Sequence, residues 1–188
     1  DYVQGLFSDL ISGAKVFNLG LVNITITGKG YVGGITGRCQ GNAEISCCYV
    51  ESSVGFSRIT GTLNDIGGLV GENAGKVYGC RYNGNVTGQG EVGGIAGRNG
   101  GEITLCHTVT TVTGHNRVGG LVGYNMGDIS FSHSYGTINC DDASSGDAGG
   151  LVGKSEGSSA TITDCFANAA VHGNPSSAYS DIGGLIGT

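Results

Sequence analysis

Apolar and small residues return along this chain in a fixed order, and that order predicts short strands rather than helices. A Gly-Gly pair set between aliphatic residues, as in Val92-Gly93-Gly94-Ile95-Ala96-Gly97, occurs six times. The copies start at Val32, Ile66, Val92, Val118, Ala148 and Ile182, separated by 34, 26, 26, 30 and 34 residues. Between them, apolar or small residues alternate with polar ones. Val77, Ile103 and Ile129 serve as position zero, with Val16, Ile45 and Ile162 as their counterparts. Position three then holds Leu19, Cys48, Cys80, Cys106, Ser132 and Cys165, and position nine holds Thr25, Val54, Val86, Val112, Ile138 and Val171. Position seven is mostly small, with Asn23, Ser52, Gly84, Thr110, Gly136 and Ala169. Successive side chains of a strand point to opposite faces, so positions three, five, seven and nine are expected inside and the even positions outside. No segment shows a 3.6-residue period, and Gly interrupts every ten residues or so.

A repeat this short cannot bury its apolar face alone and must stack on its neighbours. The expectation is an all-β, parallel β-helix of about six coils of ~26 residues, with residues 1–188 forming one such domain. The Gly-Gly pairs (Gly33 and Gly34, Gly67 and Gly68, Gly93 and Gly94) are expected to permit a sharp bend or a close approach between coils. The same role falls to Gly119 and Gly120, Gly149 and Gly150, and Gly183 and Gly184. Three of the motifs continue as Gly-x-Asn-x-Gly, at 71–75, 97–101 and 123–127. Asn and Gly tolerate left-handed backbone, so these segments are expected to make tight corners. The longer repeats place their extra residues at 55–65, 140–147 and 174–181, read as one corner after position nine. Smaller additions near Cys39 and at 155–158 fall at the opposite turn.

Composition removes several alternatives. The chain has 39 Gly but a single Pro, Pro175, and no Gly-x-y period, which excludes collagen. A net charge of −6 without any basic run argues against nucleic acid or an anionic membrane as partner. No stretch approaches the roughly 20 apolar residues of a membrane-spanning helix. Both ends fall inside a repeat, so a longer parent is expected, with end-to-end self-association of the isolated piece.

Six copies of Gly-Gly-Leu/Ile-x-Gly resemble the GLUG-motif repeats, over residues 32–187 with a degenerate earlier copy at Gly5-Leu6-Phe7. Such repeats occur in large bacterial surface proteins, including adhesins and IgA-specific metallopeptidases. The resemblance implies a right-handed β-helix and a bacterial cell-surface or extracellular setting. It carries over no catalytic residue, since the metallopeptidases hold their H-E-x-x-H zinc motif in a separate domain and that motif is absent from this sequence.

Candidate chemistry is sparse. Cys48, Cys80, Cys106 and Cys165 share one inward position, and stacking would bring neighbouring Cα atoms into disulfide range. Their side chains would run parallel, however, so buried free thiols acting as small apolar groups are expected. Cys39, Cys47 and Cys140 lie off this ladder. Position four carries an outward stripe of Tyr49, Arg81, His107, His133 and Phe166, which either stacks on itself or offers rings and cations to a sugar or protein. His107 and His133 are adjacent in that stripe and are the candidate for a stray transition metal. Phe56, Arg58, Asp141 and Tyr179 are assigned to the insertion corner as a second candidate binding surface. Asp141, Asp142, Asp147 and Asp181 are read as solvated loop acids, since their spacing fits no calcium loop. They are also the only acid–base candidates for a glycosidase-like reaction. The expected function is non-catalytic: an adhesive stalk or binding module for a host glycan or protein, without cofactor or metal. The alternatives are an accessory module of a metallopeptidase or carbohydrate-active enzyme, and a pure spacer.

Overall fold

The computed structural model describes residues 1–53, 57–141, 146–174 and 181–187. Its strands stack into four sheets that run along the axis of a parallel β-solenoid of about 5 turns, slightly fewer than the six coils expected. The first sheet holds Phe7–Leu10, Thr36–Cys39, Val70–Asn73, Ala96–Asn99, Val122–Asn125 and Val152–Ser155. The second holds Lys15–Phe17, Glu44–Ser46, Lys76–Tyr78, Glu102–Thr104, Asp128–Ser130 and Ile162–Thr163. Longer strands make the third, notably Arg81–Thr87, His107–Gly114, His133–Cys140 and Phe166–His172. The fourth consists of the short strands that open each Gly-Gly motif, such as Glu91–Gly93 and Arg117–Gly119.

The register follows the repeat. Val16, Ile45, Val77, Ile103, Ile129 and Ile162 pair in one column, as position zero requires. The core consists of such columns, including Ile66, Val92, Val118 and Ala148, and Leu69, Ile95, Leu121 and Leu151. Position nine departs from the expectation in the first two coils. There Ile26 and Ile59 join Val86, Val112, Ile138 and Val171, in place of Thr25 and Val54. Val54 lies outside the described residues. The first coil spends one residue more than the third between its Val22 and Thr25 pairings, and the second places its extra residues between Glu51 and Arg58 rather than after position nine. Arg58 is therefore a strand residue, paired with Thr25 and Asn85, and not part of an insertion corner.

The corner chemistry also differs. Left-handed backbone is absent from the Gly-x-Asn-x-Gly segments and appears two residues after position zero. Asn18, Cys47, Gly79, Leu105, Phe131 and Asp164 have φ between 49° and 61°, one per coil. This column turns the chain from the second sheet into the third. The next residue, position three, completes the turn by hydrogen bonding. Cys48, Cys80 and Cys106 donate their thiols to the carbonyls of Ser46, Tyr78 and Thr104 at 3.2–3.3 Å, and Ser132 does the same to Ser130 at 2.8 Å. The same atoms accept from the neighbouring coil, as in Cys106 N to Ser132 Oγ at 3.0 Å. The thiol ladder is thus a set of hydrogen-bonding groups as well as apolar filling. The hydrogen bond with the Cys106 thiol, together with burial, pushes the Cys80 thiol up to about 12.

Asparagine has its own role at the turn from the first sheet to the second. Asn73, Asn99 and Asn125 occupy one buried column. Each amide donates to the next, at 2.8 Å from Asn73 to Asn99 and from Asn99 to Asn125, and Ser155 receives the last at 3.3 Å. Asn99 Oδ1 also accepts from the Gly101 amide at 3.3 Å. The ladder satisfies buried backbone and side-chain groups together.

At the Gly-Gly bends the fourth sheet lies directly on the first, backbone against backbone. A Cβ at Gly94 would be driven into the carbonyl oxygen of Gly120 and would stand 2.8 Å from Thr108 Cγ2. Steric approach, not a positive φ, makes this Gly necessary. Gly94→Ala is expected to lower stability by about 3 kcal/mol or more, and urea unfolding followed by far-UV circular dichroism measures it. Asn99→Ala leaves the Asn73 amide only its 3.3 Å bond to the Glu102 carbonyl and removes the donor to Asn125 Oδ1, and a loss of about 2–4 kcal/mol is expected in the same assay. A near-neutral result would mean that the ladder contributes no net stability.

Candidate functional site

The position-four stripe forms a continuous column in the third sheet. Gly20, Tyr49, Arg81, His107, His133 and Phe166 pair in turn. Tyr49 lies against Gly20, and the Arg81 guanidinium sits 4.4 Å over its ring. His107 and His133 stack at 5.2 Å and 9°, and His133 and Phe166 at 4.7 Å and 4°. Burial lowers the affinity of both imidazoles for a proton, and for His107 the adjacent His133 and Arg81 lower it further. The rings therefore stack as neutral groups near neutral pH. Because the ring faces are turned towards one another, the column presents mainly edges outward. Among the described residues no third His, Cys, Asp or Glu stands with the two imidazoles as a metal-ligating group.

Beside this column the face is more open. Asn83, Val109, Tyr135 and Asn168 form the adjacent row. Tyr135 meets both His133 and Phe166 edge-on, at 83°, so its ring plane runs across the stack instead of within it. Val109 is 50% and Tyr135 36% exposed, an apolar pair on the outer face of a strand pair. Next to them lies a depression of about 340 Å³, bordered by Asn83, Asn85, Val109 and Thr111 and by Ser52, Gly84, Thr110 and Gly136 of position seven. Position seven is divided: Thr110 is buried and Ala169 packs against the core, as expected for an inward position, whereas Gly84 and Gly136 open to the depression. Gly136 is exposed with φ 126°, and its missing side chain leaves room where the backbone of Thr110 in the neighbouring coil comes close.

A second polar assembly flanks the Gly-Gly bends, where the sequence pattern offered no signal. The residues before the motifs include Tyr31, Asp65, Glu91, Arg117 and Asp147; those after include Arg38, Glu72, Arg98, Tyr124 and Lys154. Asp9 binds Arg38 at 2.7 Å, Glu91 binds Arg117, and Arg117 lies 4.5 Å over the Tyr124 ring. Asp147 is a buried strand residue 3.8 Å from Lys154, not a solvated loop acid. Asp65 is 6% exposed, and its Oδ1 has no hydrogen-bond partner. Burial, then repulsion from Glu91 and Glu72, pushes its carboxyl up to about 7 against the pull of Arg98 and Arg117. This is the carboxylate-and-arginine cluster that the outer stripe lacks, and only folding assembles it.

Only part of the insertion corner falls within the described residues. Phe56, Asp142 and Tyr179 lie outside the described residues, and Arg58 sits in a strand of the second coil. Asp141 is exposed, 3.2 Å from His115 Nδ1, and its carbonyl accepts from Asn174 Nδ2 at 3.3 Å. Comparison with known families, curated proteins and solved structures gives no match, so the functional reading rests on the residues and their geometry.

The Asp65 carboxyl is protonated more readily in the folded chain than in the unfolded one. Its stabilising contribution is complete below the ordinary value of 3.8, fades as pH rises towards 7, and is gone above it. Asp65→Asn is expected to remove this slope and to stabilise the chain above pH 7 by up to about 4 kcal/mol. Urea midpoints across the range from about pH 4 to 8 test this. A difference between variant and wild type that does not change with pH would contradict the assignment.

Proposed function

We propose that this chain is a non-catalytic repeat segment of a bacterial cell-surface or secreted protein, a stiff stalk that engages a host glycan or protein. The resemblance of its six motifs to GLUG repeats supports the setting. The observation that carries the binding role is the outer face of the third sheet. There Val109, Tyr135 and Phe166 are exposed together beside the depression, where strand alternation otherwise places polar groups. Contiguous exposed apolar surface, with Tyr and Arg at its margin, is characteristic of recognition surfaces. The self-stacked column beside it, which includes Phe166, holds the face rigid, so little ordering is needed on binding. About 5 turns give a rod of roughly 24 Å at about 4.8 Å per coil. The accessory-module and spacer readings share this fold but make no use of the apolar face.

The test is retention of the fluorescently labelled chain on epithelial cells and matrix proteins, compared with the triple variant Val109→Ser, Tyr135→Ser, Phe166→Ser. Saturable retention by the wild type, weakened about tenfold or more in the variant with unchanged circular dichroism, is the expected result. Absence of any retention would favour the spacer. Turnover of a glycan or peptide by the chain would overturn the non-catalytic reading.

A further inference from the structure

The depression in the third sheet has a chemistry of its own, distinct from that of the aromatic column. Its volume of about 340 Å³ lies at the lower end of the roughly 300–1,000 Å³ typical of small-ligand sites. None of the described residues that line it is charged. The amides of Asn83 and Asn85 and the hydroxyl of Thr111 border it without any intramolecular hydrogen bond. Thr110 differs, since its hydroxyl donates to the Gly84 carbonyl at 2.9 Å. Val109 contributes an apolar surface, and Gly84 and Gly136 contribute bare backbone. Two guanidiniums stand near it outside the lining: Arg81 is engaged by Glu51 at 3.1 Å and by the Tyr49 ring, and Arg58 pairs with Asn85 from the neighbouring coil.

We propose that this depression is a subsite for one neutral hexose unit of a glycan chain. A carboxamide offers a donor and an acceptor side by side, and a pair of adjacent sugar hydroxyls offers the complement. Val109 and the neighbouring Tyr135 supply the apolar contact that the C–H face of a sugar ring requires. An anionic sugar finds no cation among the described lining residues. A peptide finds at most a two-residue strand edge: His107–Gly114 and His133–Cys140 are paired on both sides, and Arg81–Thr87 lacks a partner on one side only at Asn83 and Gly84. The lining residues are held by these ladders, so the subsite exists before the ligand arrives.

The inference rests on the binding-stalk reading, and its test separates the two. The probes are neutral gluco-, galacto- and manno-configured hexasaccharides, with polygalacturonate as the anionic comparison, followed by saturation-transfer NMR and titration calorimetry. Saturable binding of at least one neutral series is expected. Asn83→Ala, Asn85→Ala and Thr111→Val should each weaken it about tenfold, the loss of one or two hydrogen bonds. Failure of every neutral probe, preference for polygalacturonate, or binding untouched by all three substitutions would overturn the subsite. Retention on cells without neutral-sugar binding would sink the subsite and leave the stalk. Sugar binding without retention on cells would do the reverse.

Discussion

Each coil of this solenoid must pass from its fourth sheet to its first through a bend with no room for a side chain. At Gly67, Gly93, Gly119 and Gly149 an added Cβ would collide with a carbonyl oxygen three residues further along the same coil, and with the backbone of the next. The two sheets can therefore meet backbone to backbone, and the aliphatic residues on either side of the pair, such as Val92 and Ile95, are carried into the core. The remaining architecture depends on that contact. It fixes where each coil closes, which sets the axial register, and register brings identical positions into columns. Only then can thiols, amides and rings stack with their own kind.

Stacking in columns multiplies the effect of each residue type. A buried amide is normally a liability, because each of its polar atoms needs a partner. In the Asn73–Asn99–Asn125 column every coil provides the partner for the next, and the backbone at the turn is satisfied at the same time. The cysteine column works alike, with Ser132 exchanging for Cys because both accept from an amide of the preceding coil and donate to the carbonyl two residues earlier in their own. Where a column changes identity, the partner is lost. Asp65 sits among residues of mixed charge, with one oxygen unpaired, and its carboxyl is correspondingly reluctant to ionise.

These differences mark the limit of what the sequence reveals. The Gly-Gly spacing, the position-zero column and the position-four stripe were legible, because each repeats a residue class at a constant offset. The left-handed corner was not, since Leu105 and Phe131 occupy a conformation that costs an L-residue roughly 1–2 kcal/mol. Nothing in their identity announces it, and the packed sheets on either side enforce it. Asparagine misled for the opposite reason. Its tolerance of left-handed backbone suggested a turn, whereas its amide was what the fold used. Ile26 and Ile59 were displaced by added residues within the third sheet, which shift the parity of every side chain beyond them. The Asp65 cluster joins residues from either side of a bend and from successive coils, a proximity no linear spacing encodes.

Function in such a molecule is read from departures within columns. The interior repeats itself because every coil solves the same packing problem. On the outer face of the third sheet the row of Asn83, Val109, Tyr135 and Asn168 mixes amide, aliphatic and aromatic side chains, although the backbone beneath it is regular. Packing does not demand that variety, since the side chains project from the solenoid. The adjoining position seven removes bulk at Gly84 and Gly136, and its hollow lies beside the most varied part of the row. Regular interior columns therefore make a rigid support, and this mixed outer row is where the binding role proposed for the face would reside.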